Sequence, residues 1–163
     1  MKETQASLNF LVRGDEVLLA VKQQKIGAGR LNGVGGKQES GEVIEQTMIR
    51  ESEEEIGVTP KIYKKLAEIL FHNPSDDETL KHMRVHIYVT TEWTGEIAES
   101  DEMKTPTWFK KSQINYDEMM RGDDRFLPDY VFQDQPCMGV IFFHDDWQVD
   151  EKRSIIYTVP DFK

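Results

Sequence analysis

The sequence lacks a second cysteine, because Cys137 is the one cysteine in its 163 residues. An internal disulfide is therefore excluded, as is usual for proteins of a reducing compartment. No apolar run approaches the roughly 20 residues that a membrane helix needs. The N-terminal stretch MKETQASLNF also lacks the apolar core of a signal peptide. We expect a cytoplasmic protein that does not bind membranes.

Basic side chains are also scarce. The chain has 20 Lys and Arg against 30 Asp and Glu, which gives a formal net charge of −10 and a pI near 4.9. This disfavours broad binding to nucleic acid backbones, which needs clustered basic residues. A small polyanionic substrate stays possible, provided that a divalent metal mediates its binding. With 38% hydrophobic residues, the length predicts one globular domain over 1–163.

The first third of the chain predicts a hairpin, a loop and a helix. Residues 6–13 and 16–22 flank Gly14-Asp15, a pattern typical of a β-hairpin. Residues 23–42 hold six glycines and predict a loop that turns sharply or approaches another group closely. From Val43 to Glu55 there is no Gly or Pro, so we predict a helix that ends at Gly57. Its expected buried face is Ile44, Met48, Ile49 and Ile56.

The remainder predicts strands with short helices among them. Strands are expected near 67–72 and at 82–93, 105–111, 138–144 and 154–159, the last two paired. Short helices are expected at 112–120 and 125–133, and the segment between the last two strands is turn-like. One helix bracketed by strands indicates an α+β or layered α/β architecture.

Three carboxylates mark the predicted helix. Glu51, Glu54 and Glu55 have the i, i+3 and i+4 spacing that places them on one face. Such like-charge pairs destabilise an isolated helix by a few tenths of a kcal/mol each. A solvated acidic face is the ordinary explanation. A hard cation such as Mg²⁺, which prefers oxygen ligands, would instead make the cluster favourable. With the glycine-rich loop and Lys37 just before the helix, this pattern favours phosphoryl chemistry.

A wider spacing decides between these two explanations. In chain order, the residues of this pattern are Gly36, Glu42, Arg50-Glu51, Glu54-Glu55 and Gly57-Val58. At ordinary residue abundances, such an arrangement arises by chance in a chain of this length on the order of once in a million. The stretch 36–58, GKQESGEVIEQTMIRESEEEIGV, resembles the Nudix box, the signature of Nudix hydrolases. Its departure is Ser52, where the family usually has an aliphatic residue. The serine hydroxyl can bond a backbone carbonyl, so we expect a small packing loss and intact chemistry.

The resemblance implies a fold, a reaction and a metal site. The fold would be α+β, an α/β/α sandwich with a mixed sheet between helices, and the box would form a loop–helix–loop. The family hydrolyses nucleoside diphosphates linked to another group, with Mg²⁺ or Mn²⁺. By position, the metal ligands would be Glu51, Glu54, Glu55 and the backbone carbonyl of Gly35, and any one of the carboxylates could be the base.

Two further residues of the box have alternative roles. Arg50 would orient a ligand glutamate through an ion pair, or form only a surface salt bridge. Glu42 would support this arrangement, or only place a favourable charge at the helix N-terminus.

The similarity extends to the oxidised purine nucleoside triphosphate hydrolases, the 8-oxo-dGTP diphosphatases of the mammalian type. It lies in GAGRLNGVGGK (27–37), VHIYV (85–89), ESDEM (99–103), TWF (107–109) and the aspartate pair at 123–124. By this resemblance, Asn32, Asp123 and Asp124 would read the base edge, and one aspartate would carry a raised pKa and donate a hydrogen bond. Glu102 would be a further metal ligand. The remaining expected pocket residues are Ser7, Lys22, Lys37, Phe71 and Met83.

Each of these residues also has an ordinary structural role. The aspartate pair could form a surface turn, Asn32 could be a turn residue beside Gly33, and Glu102 could be a solvated charge. Phe71 and Met83 could be core residues. The chain also departs from this group, because Met120 stands where a tryptophan stacks on the base. Ile26 and Asn73 replace two other pocket aromatics, which should weaken or shift base preference.

The resulting expectation is a Mg²⁺-dependent pyrophosphohydrolase that cleanses the nucleotide pool of 8-oxo-dGTP. We expect a monomer that binds a small nucleoside triphosphate and no nucleic acid. Alternatives are a Nudix enzyme for a canonical (d)NTP, a dinucleoside polyphosphate, ADP-ribose or a capped RNA, and a nucleotide sensor without turnover.

Overall fold

A computed structural model describes residues 1–162, in which nine strands and two α-helices are combined with short 3₁₀ helices. The strands are β1 (Thr4–Arg13), β2 (Glu16–Lys22), β3 (Leu31–Asn32), β4 (Val34–Lys37), β5 (Thr59–His72), β6 (His82–Thr94), β7 (Met103–Lys110), β8 (Cys137–Phe142) and β9 (Ile155–Thr158). The α-helices are α1 (Ile44–Ile56) and α2 (Glu78–Lys81). The 3₁₀ helices are Lys111–Gln113, Tyr116–Glu118, Asp123–Arg125 and Val131–Gln133.

The strands form a mixed sheet around β1. β1 lies between β6, which is parallel to it, and β4, which is antiparallel. Beyond β6 the sheet continues with antiparallel β5, then β8 parallel to β5, and finally antiparallel β9. At its far end β1 pairs with β2, which also pairs with β3 and β7. The expected mixed sheet is confirmed.

The two faces of β1 contact two different layers. Leu8, Phe10 and Val12 belong to the main core. Since alternate residues of a strand point to opposite faces, the intervening Asn9 and Leu11 face the side where α1 lies. The main core also contains Met119, Phe126, Leu127, Val131 and Phe132 from the segment of 3₁₀ helices. The sheet is therefore covered by α1 on one face and by 3₁₀ helices on the other.

Most of the predicted elements are confirmed, and four differ. The hairpin is present, and α1 ends where Gly57 adopts φ +76°, a left-handed conformation that glycine adopts without strain. The last two strands pair as expected. By contrast, the loop predicted for 23–42 contains β3 and β4, and β5 is more than twice as long as the strand expected at 67–72. The helices expected at 112–120 and 125–133 are short 3₁₀ turns.

Helix α1 carries two adjacent buried stripes with different chemistry. Met48, Ser52 and Ile56 form one, at i, i+4 and i+8, and the second consists of Thr47, Glu51 and Glu55. The prediction that Ile44 and Ile49 are buried is wrong, because both are only half-buried. The helix instead presents two glutamates to the interior. This stripe positions the candidate site.

A polar contact joins α1 to the sheet. Asn9 Nδ2 donates to Ser52 Oγ at 3.1 Å, and Ser52 Oγ donates to the carbonyl of Met48 at 2.8 Å. The Thr90 hydroxyl donates to Asn9 Oδ1 at 2.8 Å. The expected bond from Ser52 to a backbone carbonyl is therefore confirmed. The expected small packing loss stays a prediction, and Ser52 is in addition the buried acceptor for the side-chain amide of Asn9.

The cysteine is internal to the sheet. Cys137 opens β8 and is fully buried, with 0% of its surface exposed. Burial raises the pKa of its thiol to about 11. At neutral pH the side chain is therefore a protonated, weakly reactive thiol that packs as a small apolar group.

Within residues 1–162, no helix has the length and apolar character needed to cross a membrane.

The contact between Ser52 and Asn9 predicts a specific stability loss. Ser52→Ala should lower the free energy of unfolding by about 1–3 kcal/mol, because the buried amide of Asn9 loses its acceptor. Urea denaturation followed by circular dichroism measures this, with the exposed Ser40→Ala as control. In a double-mutant cycle with Asn9→Ala, the losses should be non-additive. Strictly additive losses would show that the two side chains do not stabilise each other.

Candidate active site

One cavity of about 540 Å³ opens beside the N-terminal half of β1. Many of the residues proposed from the sequence line it, and they come from every part of the chain. They are Ser7, Lys22, Asn32, Gly35, Lys37, Glu55, Phe71, Met83, Glu102, Met120 and Asp123. Asp124, Arg50, Glu51 and Glu54 lie outside this lining. The structure therefore brings most of the predicted residues to one place.

Two glycines of β4 allow α1 to approach the sheet. The backbone N–H of Gly35 donates to Glu55 Oε2 at 3.2 Å. A Cβ on Gly36 would overlap the carboxylate of Glu51, and a Cβ on Gly35 would overlap the backbone of Ser7. Only residues without side chains fit between β1 and the acidic stripe of α1. The glycine-rich segment is thus used for close approach, one of the two roles predicted for it.

Arg50 links the loop before α1 to the glutamates of the helix. Its Nε and Nη2 atoms donate to the two carboxylate oxygens of Glu42 at 2.6 and 3.1 Å. Nη1 donates to Glu51 Oε1 at 2.8 Å and to Glu54 Oε2 at 3.2 Å. The hydrogen bonds from Arg50 lower the pKa of Glu42 to about 2. Glu51 therefore lies between the permanently charged guanidinium of Arg50 and the glycines of β4.

The two buried carboxylates strain the site electrostatically. Glu51 and Glu55 are only 9% and 6% exposed. Burial raises the pKa of Glu55 to about 8, and repulsion from Glu51 adds to this shift. Burial also raises the pKa of Glu51, although Arg50 opposes it. Lys22 lines the same cavity with a pKa lowered by burial. A divalent cation beside these carboxylates would offset both the cost of burying their charge and their mutual repulsion. The donor set therefore fits a metal.

Glu54 and Glu102 are more exposed than the buried pair. The Glu54 side chain is 60% exposed and bonds Arg50, and Glu102 is exposed at the cavity lining. In the described part of the chain, no three His, Cys, Asp or Glu side chains already gather closely enough to hold a metal. The protein thus offers an open set of oxygen ligands. Mg²⁺ sites commonly have this character, because substrate phosphates and water complete them.

A buried carboxyl group also lines the cavity. Asp123 is 3% exposed, and its Oδ2 atom has no hydrogen-bond partner among residues 1–162. Burial raises its pKa well above the ordinary value, and repulsion from Asp124 adds to the effect. The predicted pair is split, however. Asp124 does not line the cavity and instead pairs with Arg125 at 3.6 Å, so only Asp123 faces the ligand space.

Other residues of the cavity lining form local hydrogen bonds or pack against the main core. Asn32 Oδ1 accepts the N–H of Gly33 at 2.9 Å, a local turn-like bond within the cavity wall. Lys37 Nζ donates to Thr79 Oγ1 at 2.7 Å, which tethers the lysine to α2. Phe71 packs against the main core as well as lining the cavity. Ser7 is buried with an Oγ atom that has no partner in the described residues.

Two aromatic residues of the cavity were missed from the sequence. Phe143 and Trp147 line it from the connection between β8 and β9. The sequence predicts a strand for Phe143 and a turn for Trp147, and neither prediction places a ring in the cavity. The available signal was a tryptophan within a polar, acidic stretch, DDWQVDE, where a bulky apolar residue has no evident solvent-facing role.

Comparisons with known proteins agree with the resemblance seen in the sequence. Residues 3–130 match the NUDIX domain. The oxidized purine nucleoside triphosphate hydrolase of Danio rerio is 39% identical over 85% of this chain and 87% of its own length. The protein of the same name from Mus musculus is 34% identical, with 85% and 86% coverage. A mutator MutT protein from Bacillus halodurans has a similar fold, with a TM-score of 0.76 at 24% identity over 97% of this chain and 99% of its own.

The buried carboxyl of Asp123 predicts a pH-dependent stability. Between the ordinary carboxyl pKa of 3.8 and the raised value, the folded chain holds a proton that the unfolded chain has lost. Stability contributed by this group is therefore complete below 3.8 and falls as pH rises through the window. Asp123→Asn, which stays neutral, should exceed the wild type in stability at pH 7 but not near pH 4.

Urea midpoints across this pH range test the prediction. Asp15→Asn serves as the matched control, because Asp15 is exposed and lies outside the cavity. If Asp123→Asn instead differed from the wild type by the same amount at every pH, the buried carboxyl would not be holding a proton.

Proposed function

The chain belongs to the NUDIX family of hydrolases, and from this premise we propose that it hydrolyses oxidised purine nucleoside triphosphates. With 8-oxo-dGTP as substrate, the products are the nucleoside monophosphate and pyrophosphate, which cleanses the nucleotide pool. One observation carries the proposal. The cavity that holds the buried glutamate Glu55 also holds Asp123, a carboxyl group buried without a partner. The names of the zebrafish and mouse relatives support the same substrate class.

Divalent metal ions are the general cofactors of Nudix hydrolases, and we propose Mg²⁺, with Mn²⁺ as a substitute. Glu51, Glu54, Glu55 and the carbonyl of Gly35 would hold it, with Glu102 as a further ligand. When bound, such an ion supplies charge neutralisation for the phosphates and lowers the pKa of a water molecule. The direction of the pKa shifts supports a cation as the missing partner of Glu51 and Glu55, because burial raises the pKa of both.

The remaining catalytic work falls to side chains of this protein. Lys22 and Lys37 line the cavity and provide positive charge for the phosphate chain. Arg50 keeps Glu51 and Glu54 in place through its fixed donor fork. A water oxygen bonds to phosphorus, its proton passes to one of the glutamates, and the anhydride oxygen leaves with pyrophosphate. Positioning and charge, rather than a covalent intermediate, lower the barrier.

Asp123 and Asn32 would recognise the base. A protonated carboxyl group can donate a hydrogen bond to a ring nitrogen or carbonyl acceptor, which an ionised one cannot. Asn32 already uses one lone pair of Oδ1 for Gly33, and its amide group can both donate and accept. An oxidised purine has donors and acceptors along one edge, so this pair of side chains is complementary to it.

We further propose that residues 1–163 act as one monomeric domain on free nucleotides in the cytoplasm. The net charge of −10 supports a small ligand over a nucleic acid, because a polyanionic backbone would be repelled.

A substrate panel tests the proposed function. The purified protein with Mg²⁺ is offered 8-oxo-dGTP, dGTP, dCTP, ADP-ribose and a diadenosine polyphosphate, and products are separated by chromatography. We expect the highest kcat/KM on 8-oxo-dGTP, by about tenfold or more over dCTP, a difference of about 1.4 kcal/mol in transition-state binding. Preference for ADP-ribose would identify another Nudix substrate, and no turnover on any compound would favour a sensor.

Glu54→Gln tests the metal site separately from the base pocket. Loss of a ligand carboxylate should reduce kcat by about a hundredfold or more and raise the Mg²⁺ concentration needed for half-maximal rate. Glu53→Gln is the matched control, because Glu53 is exposed and accepts a bond from the Thr59 hydroxyl at 2.8 Å. Both variants should melt like the wild type. Rates near the wild-type value in Glu54→Gln would remove this residue from the metal site.

A further inference from the structure

The connection between β8 and β9 is an ordered hairpin that reaches the cavity. Phe143 and Val149 form an antiparallel bridge, and the N–H of His144 donates to the Gln148 carbonyl at 2.8 Å. At the tip, the N–H of Trp147 donates to the His144 carbonyl at 3.0 Å. The indole of Trp147 is half-buried and lines the cavity. Local hydrogen bonds thus hold the tip, and its largest side chain faces the ligand space.

Trp147 ends a row of aromatic rings. Phe71 and Phe143 are stacked, with centroids 6.3 Å apart and planes at 8°, and Phe143 lies 5.5 Å from Trp147 at 50°. Phe143 also packs against the backbone next to Asp123, since a Cβ on Gly122 would lie 3.2 Å from its ring. The row therefore runs alongside the buried carboxyl group that is proposed to read the base.

The three aromatic rings differ in how much they pack against the main core. Phe71 and Phe143 pack against the main hydrophobic cluster, to which Trp147 does not belong. Among the described residues that line the cavity, these three are the aromatic ones. Met120, which occupies the position of the family's stacking tryptophan, is pressed against Gly27 so closely that a Cβ there would overlap its sulfur. Trp147 is the aromatic ring of the cavity least committed to packing.

The backbone at Trp147 does not favour a large residue. Its φ is +65°, a left-handed conformation in which bulky side chains are strained and glycine or asparagine is preferred. Such strain persists where the surrounding structure or function requires the residue. A tryptophan at this tip is therefore explained better by what its ring contacts than by the turn it occupies.

We propose that Trp147 is a specificity-determining residue whose indole stacks on the purine ring of the substrate. It would supply from the β8–β9 hairpin the aromatic contact that Met120 does not provide. This inference rests on the proposed function, because it assumes that the base lies beside Asp123. The class of ligand is a purine nucleotide, and pyrimidines should gain less because their smaller rings stack over less area.

Steady-state kinetics of Trp147→Gly and Trp147→Phe test the proposal. Loss of stacking should raise KM for 8-oxo-dGTP about tenfold in the glycine variant, with kcat nearly unchanged and a smaller rise for dCTP. The phenylalanine variant should recover most of the affinity. Because glycine relieves the left-handed strain, its melting temperature should equal or exceed that of the wild type. If Trp147 had only a structural role, the glycine substitution would instead lower the melting temperature and raise KM equally for all substrates.

Intrinsic fluorescence gives a second readout without turnover. The other tryptophans, Trp93 and Trp108, stack on each other against the apolar cluster that contains Leu11 and Ile56, and they do not line the cavity. Titration with 8-oxo-dGMP should quench the emission of the wild type and of the control Trp93→Phe. In Trp147→Phe this quenching should be lost, and the result would stand even if the glycine variant failed to fold.

The outcomes separate the two proposals. If the wild type prefers 8-oxo-dGTP and KM is unchanged in Trp147→Gly, or quenching persists in Trp147→Phe, the stacking role is overturned and the proposed function stands. If the wild type shows no preference for oxidised purines in the substrate panel, the proposed function fails first. If quenching by 8-oxo-dGMP nevertheless depends on Trp147, the tryptophan still stacks on a purine, and the preferred substrate is a different purine nucleotide.

Discussion

The close contact between helix α1 and the glycines of β4 is the constraint on which the candidate site depends. Gly35 and Gly36 leave no space for side chains, so Glu51 and Glu55 are pressed against the backbone of the sheet. Carboxylates rarely tolerate such burial without a partner. Arg50 compensates on one side of Glu51, and Glu55 faces the ligand space. The fold thereby creates a local demand for positive charge.

Helix α1 carries these glutamates without losing its structural role. Its apolar stripe, together with the bond between Ser52 and Asn9, fixes the helix on the sheet. The neighbouring stripe carries the glutamates one position earlier at each turn. Because both stripes share one rigid backbone, the packing of Met48 and Ile56 determines where the charges lie. Stability and chemistry are divided between adjacent faces of the same helix, and rigid elements hold such sites more reproducibly than loops do.

The sequence predicted what is encoded in local spacing. The helix, its end at Gly57, the first hairpin and the acidic motif all follow from residues near one another in the chain. It also predicted the mixed sheet, through the family resemblance. The split between Asp123 and Asp124 could not be predicted, because adjacent residues on a short 3₁₀ turn point to different environments only once the turn is packed. Trp147 was missed for a similar reason. Its position in the cavity depends on β8 pairing with β5, a long-range contact that no local pattern reveals.

The burial of Cys137 has a practical consequence for studying this molecule. With its thiol enclosed in the sheet and protonated at neutral pH, maleimide reagents will leave the native protein unmodified. A cysteine introduced on the surface would then be the single attachment point for a dye or spin label. Distances from such a label to the β8–β9 hairpin could be followed in solution without first removing a native residue from the core.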